Sequence, residues 1–107
     1  MSEVKTRKQE VLALLDKAHT SLTDWYSTVN WMTAERAGRA SIPAYSHSVD
    51  ECLTLISDYR YTVHHLMGSF RVRLYPENAD VEGIYADARY LSVAILKAWW
   101  TAQPDET

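Results

Sequence analysis

An all-α fold, an antiparallel up-down-up three-helix bundle with a long first helix, is what the sequence predicts. Three observations predict it: apolar residues recur at steps of three and four along most of the chain, two capping boxes mark helix starts, and proline or glycine separates the periodic stretches. At 107 residues the chain fits one domain, spanning positions 1–107, with a core that needs no disulfide or metal staple.

The first seam is Val11, Leu15, Ala18, Leu22, Trp25, Val29 and Met32. Thr6 with Gln9 caps its start and Gly38 is a left-handed stop, so the predicted helix is roughly 48 Å long at 1.5 Å per residue. Gly38 to His47, with Pro43, reads as a loop. Ser48 with Glu51 opens the second helix, whose seam is Val49, Cys52, Ile56, Tyr59, Val63, Leu66 and Phe70 and which runs to about Leu74, before Pro76. Asn78 or Asp80 caps the third, with Val81, Ile84, Ala88, Leu91, Ile95, Ala98 and Ala102 as its stripe and Pro104 as its end. Short loops between such helices favour antiparallel neighbours.

Four tryptophans and seven tyrosines exceed what one small helical core hides. On the predicted bundle Trp25 and Tyr59 are core, while Trp31, Tyr61, Tyr90 and Trp100 point outward. Trp31 and Trp100 fall toward one end, where Tyr45, Arg36 and Arg39 join them in a patch with the Trp, Tyr and Arg composition of interface hot spots. The preferred reading is therefore a non-catalytic helical adaptor or inhibitor that binds a larger protein, in the manner of a phage or bacterial accessory protein or an assembly subunit. A homodimer seam is the other ordinary use for such rings.

Asp58, Arg60, Tyr61, His64 and His65 crowd two turns of the predicted second helix and supply its best catalytic candidates, Arg60 and His65. This arginine-then-histidine spacing resembles that of the HEPN family, helical ribonucleases in which such a pair from each of two subunits forms the active site. The resemblance rests on these two residues, and Tyr61 stands where a polar residue commonly follows the arginine. It implies a ribonuclease as the alternative function. The predicted helical hairpin also resembles the small secreted proteins with a tryptophan-x-glycine turn, but Gly38 to His47 carries no such motif.

Lys5, Arg7 and Lys8 at the start of the first helix, with Arg71 and Arg73 at the end of the second, would gather at one end of the bundle and could grip nucleic acid. The formal charge of -3 opposes that reading, because phosphate binding is dominated by charge. No metal and no cofactor are expected: His64 and His65 diverge by about 100° on a helix, and no zinc, di-iron or phosphate-loop signature is present. Cys52 is the single cysteine, which suits a reducing, cytoplasmic compartment, and the apolar run after Lys8 is too short to span a membrane.

Overall fold

A computed structural model describes residues 6–16, 25–75 and 83–103. Its fold is α+β, which corrects the all-α three-helix bundle. Helices α1 (Arg7–Asp16), α2 (Trp25–Arg36) and α3 (Val49–Leu55) precede strands β1 (Arg60–Leu66), β2 (Ser69–Tyr75) and β3 (Ile84–Ala88), and α4 (Leu91–Ala102) follows them. A 3-10 turn at Tyr45–His47 leads into α3.

The first capping box forms in full and the second in half, since the Ser48 N–H donates to Tyr45 O at 3.4 Å and not to the Glu51 side chain. Thr6 N–H donates to Gln9 Oε1 at 3.0 Å and Gln9 N–H to Thr6 Oγ1 at 3.2 Å. Ser48 Oγ accepts from the Glu51 N–H at 3.3 Å. Beyond α2, Gly38 takes φ +73° and Arg39 N–H returns to Ala34 O at 2.9 Å, closing the last turn in the usual left-handed way.

Helices α1 and α2 do not lie on one axis as a single rod. Lys8 Nζ reaches Gln103 O at 2.8 Å while Asp16 pairs with Lys97 Nζ at 2.9 Å, so α1 runs antiparallel to α4. Thr33 bonds Trp100 and Arg36 bonds Gln103, so α2 runs parallel to α4, and α1 and α2 pack together in opposite directions. Residues 17–24 and the side chains of Trp25 and Tyr26 lie outside the described residues, as do Asn78, Asp80, Val81 and Pro104.

The predicted second helix ends at Leu55, and a β-hairpin follows it. Ser69–Tyr75 alternates Phe70, Val72 and Leu74 with Arg71, Arg73 and Tyr75, a period of two that suits a sheet with one buried face. Met67 and Gly68 make a two-residue turn between Leu66 and Ser69, with Gly68 at φ +77°, a conformation that favours glycine and ends any helix there. β1, β2 and β3 form an antiparallel meander with Val63 opposite Val72 and Val72 opposite Ala86.

The buried side chains Val72, Leu74 and Ala86 face α4, which packs on both β2 and β3. α1, α3 and the 3-10 turn cover other sides of α4. Of the ten residues from Ser92 to Thr101, only Lys97 and Thr101 escape burial, so α4 is a central helix apolar nearly all round. That is why Trp100, expected to point outward, is 1 % exposed: a central helix has no outward side. Its indole N–H donates to Thr33 Oγ1 at 2.9 Å, and Trp99 meets it edge-on with ring centres 5.3 Å apart. Tyr45 is likewise fully buried.

A buried polar cluster ties the loop before α3 to α2 and α4. Asn30 Oδ1 accepts from the Ser46 N–H at 2.9 Å, Asn30 Nδ2 donates to Ser46 Oγ at 3.1 Å, and Ser92 Oγ donates to Ser46 O at 2.9 Å. Cys52 Sγ donates to Tyr45 O at 2.9 Å. Burial pushes the Cys52 thiol from its ordinary 9.0 up to about 12, with nearby Glu51 adding to the shift. A raised thiol value stabilises the fold fully below 9.0, and that contribution is lost as pH climbs from there toward about 12. Since the thiolate is the reactive form, iodoacetamide at neutral pH should label the native protein at least ~100-fold more slowly than the urea-unfolded chain. Equal labelling rates, followed by mass spectrometry, would contradict this burial.

Candidate functional site

The sheet leaves two surfaces open. Its outer face, turned away from α4, carries Arg60, Thr62 and His64 on β1, Arg71, Arg73 and Tyr75 on β2, and Tyr85 and Asp87 on β3. These positions follow from the alternation that buries Val72, Leu74 and Ala86 on the other side. Tyr85 is exposed, and the Arg71 and Arg73 guanidinium carbons lie 5.0 and 5.5 Å from its ring centre. Arg60 lies 5.9 Å from the ring centre of Tyr75, its cross-strand neighbour. Each is within reach of a cation–π attraction.

Asp87 is the acidic residue within this array. Both of its oxygens accept from Arg71, at 2.7 and 2.9 Å, in the forked geometry that suits guanidinium and carboxylate. The bond to Arg71 holds the Asp87 carboxyl below its ordinary range and raises Arg71. Arg60, Arg73 and His64 have no such partner among the interactions above, so the face is net basic on a chain whose formal charge is -3.

The second surface is β1 itself. Six of its seven residues are exposed and Leu66 is half-buried. Tyr61, Val63 and His65 lie on the α4 side of the sheet, yet Tyr61 and Val63 remain 42 % and 40 % exposed because the helix packs chiefly on β2 and β3. His65 stacks on Phe70 with ring centres 4.8 Å apart.

The residues expected at the aromatic docking patch do not come together at the surface. Trp31 is 48 % exposed and Arg39 is exposed, whereas Tyr45 and Trp100 belong to the core and Arg36 is half-buried with its Nε on Gln103 Oε1 at 3.3 Å. Arg60 and His65 are five positions apart on a strand, not a helix, and so project to opposite faces: Arg60 over Tyr75, His65 onto Phe70. The basic cluster is divided too. Lys8 sits at the end of α4, Arg71 and Arg73 lie on the outer face of the sheet, and Lys5 and the Arg7 side chain fall outside the described residues.

Tyr75, Tyr85 and Asp87 were missed as site residues. The signal that could have found them is the alternation of residues 69–75 beside a Met67–Gly68 turn, which is a hairpin pattern.

A cleft of about 350 Å³ opens between the end of α1 and the β3–α4 junction, lined by Asp16, Asp87, Arg89 and Lys97 among others. Lys97 there is committed to Asp16 and to Asp87 O, and the Asp87 carboxylate to Arg71. Among the described residues no three of His, Cys, Asp and Glu converge to hold a metal ion, and no helix is long and apolar enough to cross a membrane. No protein-family model, curated protein or solved structure matches the chain.

Proposed function

We propose that the chain is a non-catalytic adaptor that binds a larger protein through the outer face of its sheet, with Arg60, Arg73, Tyr75 and Tyr85 as the contact residues. The observation that carries this reading is the set of three Arg–Tyr contacts on an uncovered face. Arginine and tyrosine are enriched in interface hot spots, tyrosine because it brings large contact area with few rotamers to freeze and arginine because its planar guanidinium both stacks and donates hydrogen bonds. The local positive charge selects a partner with an acidic surface.

The reading is tested by capture from cell extract with quantitative mass spectrometry. Charge reversal at Arg60 and Arg73 together should lower recovery of the partner by tenfold or more, as expected when hot-spot residues each contribute more than about 1 kcal/mol. The control is Arg39→Glu, an exposed arginine elsewhere. Equal recovery by all three proteins would remove the proposal.

A second reading is favoured by one feature: basic and aromatic side chains interleaved on an open sheet also suit single-stranded nucleic acid, whose bases stack on rings while cations follow the phosphates. It predicts affinity for a labelled oligonucleotide that falls steeply with salt and is lost on reversal of Arg60 and Arg73. Absence of binding at low salt would dismiss it.

A further inference from the structure

We propose that two copies of this chain join edge to edge through β1, pairing it antiparallel with the partner's β1 about a twofold axis at Val63, so that two three-stranded sheets become one of six. The direction of the backbone groups supports this. A two-residue turn requires Leu66 and Ser69 to exchange both hydrogen bonds, and pairs alternate from there. Arg60, Thr62, His64 and Leu66 therefore direct N–H and C=O toward β2. Tyr61, Val63 and His65 direct theirs away, onto an edge that no strand among the described residues pairs.

The two margins of the sheet differ. By the same alternation Tyr85 and Asp87 point outward from β3, and there Lys97 Nζ donates to Asp87 O at 3.1 Å. β1 has no such guard, and it carries no proline, glycine or lysine and no inward-pointing charge of the kind that protects open edges.

The register follows from residue identity. Centred on Val63, the pairing sets Tyr61 opposite the partner's His65, Thr62 opposite the partner's His64 and Arg60 opposite the partner's Leu66. Every basic side chain then faces an uncharged one, and all seven residues of the strand are used. Moving the centre to Thr62 would oppose Arg60 to the partner's His64, and moving it to His64 would oppose the two His64 rings, each with loss of pairing at one end. A shift of the opposite parity would face outward-bonding residues with inward-bonding ones and break the ladder. The chosen register also brings the two exposed Tyr61, Val63, His65 stripes together on the α4 side, where aromatic and β-branched cross-strand pairs stabilise a sheet.

One strand pair is small beside the roughly 1,200–2,000 Å² buried in durable complexes, so the dimer is expected to dissociate on dilution. Light scattering behind size exclusion, run over a wide concentration range, should give the mass of two chains at the upper end and approach one chain at the lower. Val63→Pro removes an outward N–H and no bond within the hairpin, so it should stay folded by circular dichroism and remain at one chain throughout. Val63→Lys and Val63→Glu place like charges against each other at the axis. Each alone should weaken self-association at least tenfold, and an equimolar mixture should recover the mass of two chains. The charge pair decides the matter even if Val63→Pro does not fold. A wild-type mass of one chain at all concentrations would overturn the proposal. So would dimers undiminished by either charged variant, which would place the interface elsewhere, or a mixture that stays at one chain.

Discussion

Replacing Trp100 by alanine is expected to destabilise the protein by about 3–5 kcal/mol, the range for truncating a large buried aromatic side chain. The ring is 1 % exposed, packs edge-on against Trp99, and its N–H is spent on Thr33, which would be left as a buried hydroxyl without that donor. Domains of this size have about 5–15 kcal/mol in hand, so the variant should sit near the edge of folding at ambient temperature. Urea titration followed by circular dichroism reads the effect. Trp31→Ala is the comparison: with the side chain 48 % exposed, its cost should stay below about 1 kcal/mol. Similar midpoints for the two variants would mean that Trp100 is not the central packing element described above.

Asn30→Ala is the second large effect expected, about 1–3 kcal/mol. Its side-chain amide serves Ser46 twice, once as acceptor for the backbone N–H and once as donor to the hydroxyl. Alanine leaves the buried Ser46 N–H without its acceptor, at a cost of about 1–3 kcal/mol, while Ser46 Oγ keeps its bond to His47 Nδ1 at 2.8 Å. The damage should concentrate in the segment from Tyr45 to Cys52, because Ser92 and Cys52 bond the same stretch. Amide exchange at Ser46 should accelerate more than exchange in β2. Uniform acceleration across the protein would show instead that the cluster contributes only to global stability.

Local chemistry at helix ends was legible in the sequence. The Thr6–Gln9 box, the Ser48 cap and the Gly38 stop depend on near neighbours alone, and each forms as its residue types dictate. Val11, Leu15, Val29, Cys52 and Ile56 are buried as their spacing indicates. The sheet was not legible through the three-four template because Val63, Leu66 and Phe70 satisfy that spacing by coincidence. The period of two in residues 69–75 is cleaner there but was overridden by the helical reading on its N-terminal side.

α4 defeats pattern reading for a different reason. In Leu91–Ala102 apolar residues occupy nearly every position, so no stripe separates inside from outside, and tertiary cover alone decides where Trp100 goes. The candidate site suffered accordingly. Ring size alone marks Tyr45 and Trp100 for the surface patch and says nothing of what covers them, while Tyr85 gains its exposed place only once residues 84–88 form a strand. Arg71 and Arg73 were picked out for their charge, but the surface they share with Tyr75 and Tyr85 exists only once the strands pair.

Lys97 holding the Asp87 carbonyl bears on stoichiometry. A molecule with two receptive margins would add neighbours without limit and grow into a filament, whereas one whose far margin has its Asp87 carbonyl bonded by its own Lys97 ammonium offers a second companion a poorer ladder there. Under the proposed pairing, growth past two chains is thus opposed by one side chain on the central helix rather than by anything on β1.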